Sequence, residues 1–240
     1  LKVAGPEFLP EGDRMARQVQ NHAVFAAMVE AMDQAVGDVL DGLDRLGLAE
    51  NTAVVFMSDN GGLSTSEGAP TSNVPLRAGK GWLYEGGVRE PMLVKWPGHA
   101  RPGAVCEQYV TSTDFYPTLL EMAGLPPRPE QHLDGVSFAP LLLGDAAPER
   151  GPVYWHYPHY GNQGAFPGAA VRLGDYKLIE FFEDNHAELY NLRRDLGEKK
   201  NLAEAMPEKA AELRALLHAW QKETGARFPA PNPNAGKPGR

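Results

Sequence analysis

The feature that most constrains this chain is a long helical pattern handing over, within a few residues, to a strand-like apolar run. Between positions 17 and 46, Val19, Phe25, Met28, Val29, Met32, Val36, Val39, Leu40, Leu43 and Leu46 recur at steps of three and four. That spacing predicts one amphipathic helix. Gly47 ends it in a left-handed cap, with Leu48 folding back on the last turn. Residues 53–57 are then continuously apolar, which suits a strand buried on both faces of a parallel sheet. A helix feeding such a strand is an α/β signature. The strand stops at Asp59, Asn60, Gly61 and Gly62, and ligands of open α/β sheets sit beyond the carboxyl ends of the strands.

Residues 61–87 are rich in Gly, Ser, Thr and Pro without a period, and read as a long ordered loop. A second buried strand is expected at 91–96, a third ending near Val110, and a helix at 115–123 begun by Thr113 or Asp114 and closed by Gly124. The texture changes near 150. Segments 152–157, 169–173, 176–182 and 187–191 are short, aromatic and β-branched, with Gly174-Asp175 as a hairpin turn. A last helix from Pro207 presents Leu213, Leu216, Leu217 and Trp220 on one face to cover that sheet, and the Pro- and Asn-rich end at 227–240 reads as irregular. The expected architecture is α/β: part of a large open sheet with flanking helices over 1–150, then a small α+β subdomain with an antiparallel sheet over 151–240.

With 240 residues there is ample chain for a core, and a formal net charge of -8 argues against broad binding to nucleic acid or anionic membrane. No window approaches the roughly 18 apolar residues of a membrane span. The one cysteine, Cys106, excludes an internal disulfide and a multi-cysteine metal site, and is read as a half-buried residue on or near a strand. The first residues hold neither an initiator Met nor a signal-peptide pattern, as expected of a chain that begins in mid-protein.

Three stretches offer chemistry, each beside a plainer alternative. Asp59 and Asn60 supply hard oxygen donors suited to Ca²⁺ or Mg²⁺, but Asn-Gly is also a common turn dipeptide, and two ligands do not complete a site that takes about six to eight oxygens. Lys80, between Gly79 and Gly81, is a point charge able to neutralise an oxyanion, or else a solvated loop lysine. A phosphate-binding P-loop is excluded, because that pattern needs Gly at 74 and Ser or Thr at 81 where the chain has Val74 and Gly81. His156 and His159, in "VYWHYPHYGNQG", suit the apolar face and hydroxyls of a sugar or aryl group, or else belong to the packed rings of a small sheet. Arg77, Glu85 and Arg89 are read as ion pairs internal to the loop, and "RRDLGEKK" as a solvated turn.

The segments "NTAVVFMSDNGG", "NVPLRAGKGWLYEGGVREPMLVKWPG", "TDFYPTLLEMAGLP", "LDGVSFAPLLLG", "AVRLGDYKLIEF" and "ELYNLRRDLGEKKNLAE" occur here in one order. Together they resemble the carboxyl-terminal half of type I, formylglycine-dependent sulfatases, over about residues 20–225. The resemblance implies an alkaline-phosphatase-like fold and assigns Asp59 and Asn60 to a Ca²⁺ ion that grips the sulfate. It implies that Lys80 binds a sulfate oxygen and helps stabilise the leaving alcohol, and it places His156 and His159 in a stretch similar to that of carbohydrate-active members. The implied substrate is a sulfated carbohydrate or aryl sulfate.

The departure from the family pattern is as informative. Members carry a C-x-P-x-R or S-x-P-x-R motif whose Cys or Ser becomes formylglycine, and no Cys or Ser of this sequence has Pro two and Arg four residues on. The nucleophile, the paired aspartates completing the Ca²⁺ shell and the upstream Arg, Lys and His are expected in a preceding portion, so the chain alone is expected to be inactive; His22, read as lying inside the long helix, matches none of them. Competing readings are a phosphodiesterase or phosphonate hydrolase of the same superfold, and a noncatalytic module binding sulfated glycans. Export to a periplasm, a lysosome or the exterior follows from family habit, and the sequence is silent on oligomeric state.

Overall fold

A computed structural model describes residues 5–230, so the last ten residues of the tail expected to be irregular lie outside the described residues. The chain forms two compact units, one from residues up to 26, 58–90 and 152 onward, the other from 27–57 and 91–151. Position 150, read as a boundary from composition, falls next to one crossing between units. The crossings after 57 and 90 nearly bound the Gly-, Ser-, Thr- and Pro-rich loop, and the crossing after 26 falls inside the helical pattern.

The first unit opens with a hairpin the sequence reading missed: β1 (Phe8–Glu11) pairs antiparallel with β2 (Arg14–Arg17), Glu11 opposite Arg14. Gly12 makes that two-residue turn at φ 57°. β2 takes Arg17 and residues 18–22 form no regular element, so α1 begins later than expected, at Ala23, and runs to Arg45. His22 therefore precedes the helix rather than lying inside it, and its Nδ1 accepts the Phe25 N–H at 3.2 Å.

In the second unit Gly47 ends α1 at φ 68°, with Leu48 N–H on the Leu43 carbonyl at 2.9 Å, the expected cap. No side chain of α1 is buried; Val24, Met28 and Val39 are 67%, 63% and 62% exposed. The strand expectation needs correction. β3 (Val54–Met57) pairs antiparallel with β4 (Met92–Lys95), not in a parallel ladder, and Leu93 is 67% exposed. A continuous apolar run reports a tendency to be buried but carries no information on the direction of its partner. Between α2 (Glu85–Val88), which belongs to the first unit, and α3 (Phe115–Met122), the expected strand ending near Val110 is also absent: residues 104–110 are irregular, and Val105 is 90% exposed. Cys106 is accordingly exposed rather than half-buried. The helix expectation stands, with a capping box between Thr111 and Asp114 before α3 and Gly124 closing it at φ 67°. Asp114 is wholly buried; it accepts Thr111 N–H at 2.6 Å and Val136 N–H at 2.9 Å, and pairs with Arg150. A short α4 (Ala139–Leu143) follows.

The rest of the first unit is a four-stranded antiparallel meander in the order β5 (Val153–Tyr157), β6 (Gly168–Leu173), β7 (Tyr176–Phe181), β8 (Ala187–Asn191), with Gly174-Asp175 as the two-residue turn between β6 and β7. Its pleat sends alternate residues to two apolar layers. Ala169, Val171, Leu178 and Leu189 pack under Leu213 and Leu217 of α5 (Pro207–Thr224), as the helical spacing predicts. Ala170, Ile179 and Tyr190 face the other way and are covered by Ala78, Trp82 and Tyr84 of the glycine-rich loop. The loop is therefore an ordered layer of this unit. No helix of the described residues is long and apolar enough to cross a membrane.

Candidate anion and metal site

The residues singled out in "DNGG" and "GKG" meet through glycine backbone. Gly61 N–H donates to the Gly87 carbonyl at 3.1 Å, and Lys80 N–H donates to the Gly62 carbonyl at 3.1 Å. Asn73, which the sequence reading passed over, joins the segments: its Nδ2 donates to Gly62 O and Ala78 O, both at 2.8 Å, and its Oδ1 accepts Gly62 N–H at 3.0 Å. The approach tolerates no side chain. A Cβ at Gly61 would lie 1.7 Å from Gly86 O, and one at Gly79 would lie 2.2 Å from Gly62 O. The signal for this packing was the density of glycine in both stretches, but their mutual contact is tertiary.

On this frame Asp59 is exposed and Asn60 half-buried. Lys80 is exposed, and among the described residues its ammonium has neither a hydrogen bond nor an ion pair. Glu90 has one buried carboxylate oxygen without a hydrogen-bond partner. Burial first, and the charge of Asp59 second, push its carboxyl up to about 7 from the ordinary 4.5. Because the folded chain holds this proton more tightly than the unfolded one, the contribution to stability is largest at low pH and is lost as pH rises through that interval. In metal-free buffer the melting temperature of the wild type should therefore fall relative to Glu90→Gln between about pH 5 and about pH 8, and parallel curves would disprove the assignment.

Asp59 and Asn60 fit a hard cation by donor type, and the orphaned Glu90 oxygen shows excess negative charge beside Asp59. Among the described residues no group of three or more His, Cys, Asp or Glu side chains could hold a metal by itself.

The histidines part company. His156 points to the α5 face of the sheet, where its Nε2 contacts the Arg227 carbonyl at 2.8 Å and its Nδ1 lies 3.3 Å from Gln221 Nε2, beside the rings of Phe182, Trp220 and Phe228. Trp155, its neighbour in β5, points to the opposite face, which the Lys80 loop covers. The structure thus does not bring His156 to Lys80. His159 is exposed, edge-on to Tyr157, in a segment whose Gln163 carbonyl accepts from Thr65 Oγ1 and Trp82 Nε1 at 2.9 and 3.2 Å. That segment adjoins the Lys80 loop.

The ion pairs of the loop meet the expectation in part: Glu85 Oε2 faces Arg89 Nη1 at 3.9 Å, while the other partners lie outside the loop. Arg77 donates to Glu11 through Nε and Nη2, to the Tyr190 hydroxyl and to the Glu198 carbonyl, and its guanidinium lies 3.7 Å from the Tyr84 ring centroid. Glu85 pairs with Lys177 of β7. "RRDLGEKK" is not wholly solvated, because Glu198 is 0% exposed.

The class this fold defines is the alkaline-phosphatase-like α/β proteins, represented here by a partial fold with small antiparallel sheets. Two family models match, "Sulfatase" over residues 5–125 and "N-sulphoglucosamine sulphohydrolase, C-terminal" over 78–224. The chain belongs to the sulfatase family. It is 42% identical over 221 residues to a sulfatase of Formosa agariphila, covering 82% of this chain and 39% of the relative, and 37% identical over 219 residues to human arylsulfatase A, covering 80% and 42%. Among solved structures, Ps i-CgsB in complex with k-i-k-neocarrahexaose superposes with a TM-score of 0.72 at 29% identity, covering 88% of this chain and 46% of that one. BT4656 in complex with D-glucosamine-2-N,6-O-disulfate gives 0.67 at 27%, covering 84% and 40%. The chain thus spans about two-fifths of the length of the curated relatives it matches.

Proposed function

We propose that this chain supplies the metal-and-lysine part of a sulfuric ester hydrolase acting on a sulfated carbohydrate. Asp59 and Asn60 would hold Ca²⁺, with Mg²⁺ as the alternative, and the ion would supply positive charge to the sulfuryl oxygens. Lys80 Nζ donates a hydrogen bond to a sulfate oxygen and stabilises negative charge developing on the leaving alcohol oxygen. The observation that supports this reading is the Lys80 N–H to Gly62 O bond within close glycine packing, which ties the backbone of an unpaired ammonium to the segment that carries Asp59 and Asn60. His159 adjoins the Lys80 loop and is the better candidate of the two histidines for a sugar contact. The carbohydrate class is supported by the sugars in the complexes of Ps i-CgsB and BT4656 and by the name of a 33%-identical mouse relative, N-acetylgalactosamine-6-sulfatase.

The nucleophile, in this reading a formylglycine, and the remaining metal ligands come from sequence outside these 240 residues. Two observations support this: the chain spans 39% and 42% of the curated relatives, and the apolar stripe of α1 has no cover among the described residues. Export from the cytosol follows from the same kinship. The test is turnover of a sulfate ester against the matching phosphate ester by the whole protein that carries this sequence, with and without a chelator. Sulfate-selective, chelator-sensitive turnover is expected, with none from the 240-residue chain alone, which should aggregate through α1. Preference for the phosphate ester, or wild-type turnover by the isolated chain, would overturn it.

A further inference from the structure

The mechanism above leaves unused the most deeply buried charges of the first unit. Lys177 of β7, Glu85 at the start of α2 and Glu198 before the final helix are 0%, 1% and 0% exposed. Lys177 Nζ lies 2.9 Å from Glu85 Oε1 and 3.1 Å from Glu198 Oε1, and Glu198 Oε2 accepts the Glu85 N–H at 2.6 Å. One ammonium thus joins two carboxylates brought from positions 85 and 198, and the other Glu85 oxygen, Oε2, has no hydrogen bond but faces the guanidiniums of Arg172 of β6 at 3.7 Å and Arg89 at 3.9 Å. Buried ion clusters of this kind are poor sources of net stability, because desolvation offsets most of the attraction, and one role they can serve is to fix geometry.

The element that Glu85 begins, α2, packs against the segments that carry Asn60 and Lys80. The turn α2 carries Gly86 and Gly87, and the chain is packed against both from two sides. A Cβ at Gly87 would lie 2.5 Å from Gly79 O, and one at Gly61 would lie 1.7 Å from Gly86 O. The Gly87 carbonyl also accepts Gly61 N–H. Gly79 precedes Lys80, and Gly61 follows Asn60. Whatever moves α2 moves both segments, and Glu85 is the side chain by which α2 is tied to the sheet.

We propose that Lys177, acting through Glu85 and Glu198, is a positioning residue for the sulfate site: it pins α2 to β7 and so sets the placement of Lys80 relative to Asp59 and Asn60. This rests on the reading of Lys80 given above. In the whole protein, Lys177→Met is expected to lower kcat for 4-nitrophenyl sulfate by about 10- to 100-fold with little change in KM, the cost of a misplacement on the order of 1 Å. In a Lys80→Ala background the same change should cost almost nothing more, since both act through one group. Amide hydrogen exchange should rise in segments 61–62 and 79–87 while β6 to β8 stay protected. The variant Lys177→Met/Glu85→Gln/Glu198→Gln, which removes the three deepest charges together and leaves Arg172 and Arg89, whose side chains are 15% and 48% exposed, in reach of water, should fold and show the same losses. Wild-type kcat and exchange in either folded variant would overturn the proposal. So would additive losses with Lys80→Ala, or failure of both variants to fold, which would make the cluster a determinant of the fold. If Lys80→Ala itself leaves activity intact, the sulfatase role of Lys80 fails, while the exchange measurement still decides whether Lys177 anchors the loop.

Discussion

Lys80→Ala in the whole protein is expected to lower kcat on a sulfate ester by about 10²–10³-fold, the usual cost of removing one donor aimed at developing negative charge. The expectation comes from three features of the structure. The ammonium is exposed and has no partner among the described residues. Its backbone is held by the Gly62 carbonyl at 3.1 Å. Its glycine neighbours are packed against the rest of the unit, since a Cβ at Gly79 would lie 2.2 Å from Gly62 O and one at Gly81 2.9 Å from Gln163, which fixes where the lysine leaves the loop. Lys80→Arg should recover little, because a planar guanidinium cannot present a compact charge at the same point. Steady-state kinetics on paired sulfate and phosphate esters make the measurement, and an alanine variant within about threefold of wild type would remove Lys80 from the chemistry.

Gly61→Ala is expected to have the largest structural effect of any single methyl addition in this region. The new Cβ would sit 1.7 Å from Gly86 O, 2.7 Å from Gly86 C and 2.9 Å from Gly87 Cα. These are backbone atoms of α2, so neither side can yield by changing a rotamer. The two segments must separate by more than 1 Å, breaking the Gly61 to Gly87 hydrogen bond, at a cost of about 3 kcal/mol or more. A drop in melting temperature with loss of sulfate-ester turnover is the expected outcome. Two controls separate steric clash from simple loss of glycine. Gly68→Ala meets nothing within 4 Å but sits at φ 84°, and should cost about 1 kcal/mol from backbone strain alone. Gly37→Ala, in α1 with nothing within 4 Å, should be neutral or stabilising by up to about 1 kcal/mol. Equal behaviour of all three would show that the packing at Gly61 is looser than described.

Much of the architecture was legible because it is written in local periods. The three- and four-residue spacing of α5, the strands at 153–191 and their Gly174-Asp175 turn, and the left-handed stops at Gly47 and Gly124 each depend on neighbours within one or two turns of chain. The hairpin of β1 and β2 escaped because Leu9 and Met15 are exposed while β2 buries Ala16 and Arg17 in succession, so neither strand has an apolar alternation to read. The direction of the β3–β4 pairing escaped because residues 54–57 are apolar at every position.

By itself the sequence determined which residue types are present for chemistry: an Asp-Asn pair before two glycines, a lysine between two more, and two histidines among aromatic rings. It could not say which of them share a side of the molecule. The tertiary structure decided that Lys80 and Gly62 are hydrogen-bonded neighbours, that the sheet parts His156 from them, and that Lys177 reaches Glu85 across 92 positions of chain. The reason is physical: a period reports the environment of one segment, whereas contact between segments is set by the packing of complementary surfaces, and where Gly61 meets Gly86 and Gly87 those surfaces are glycine backbone that carries no side-chain pattern.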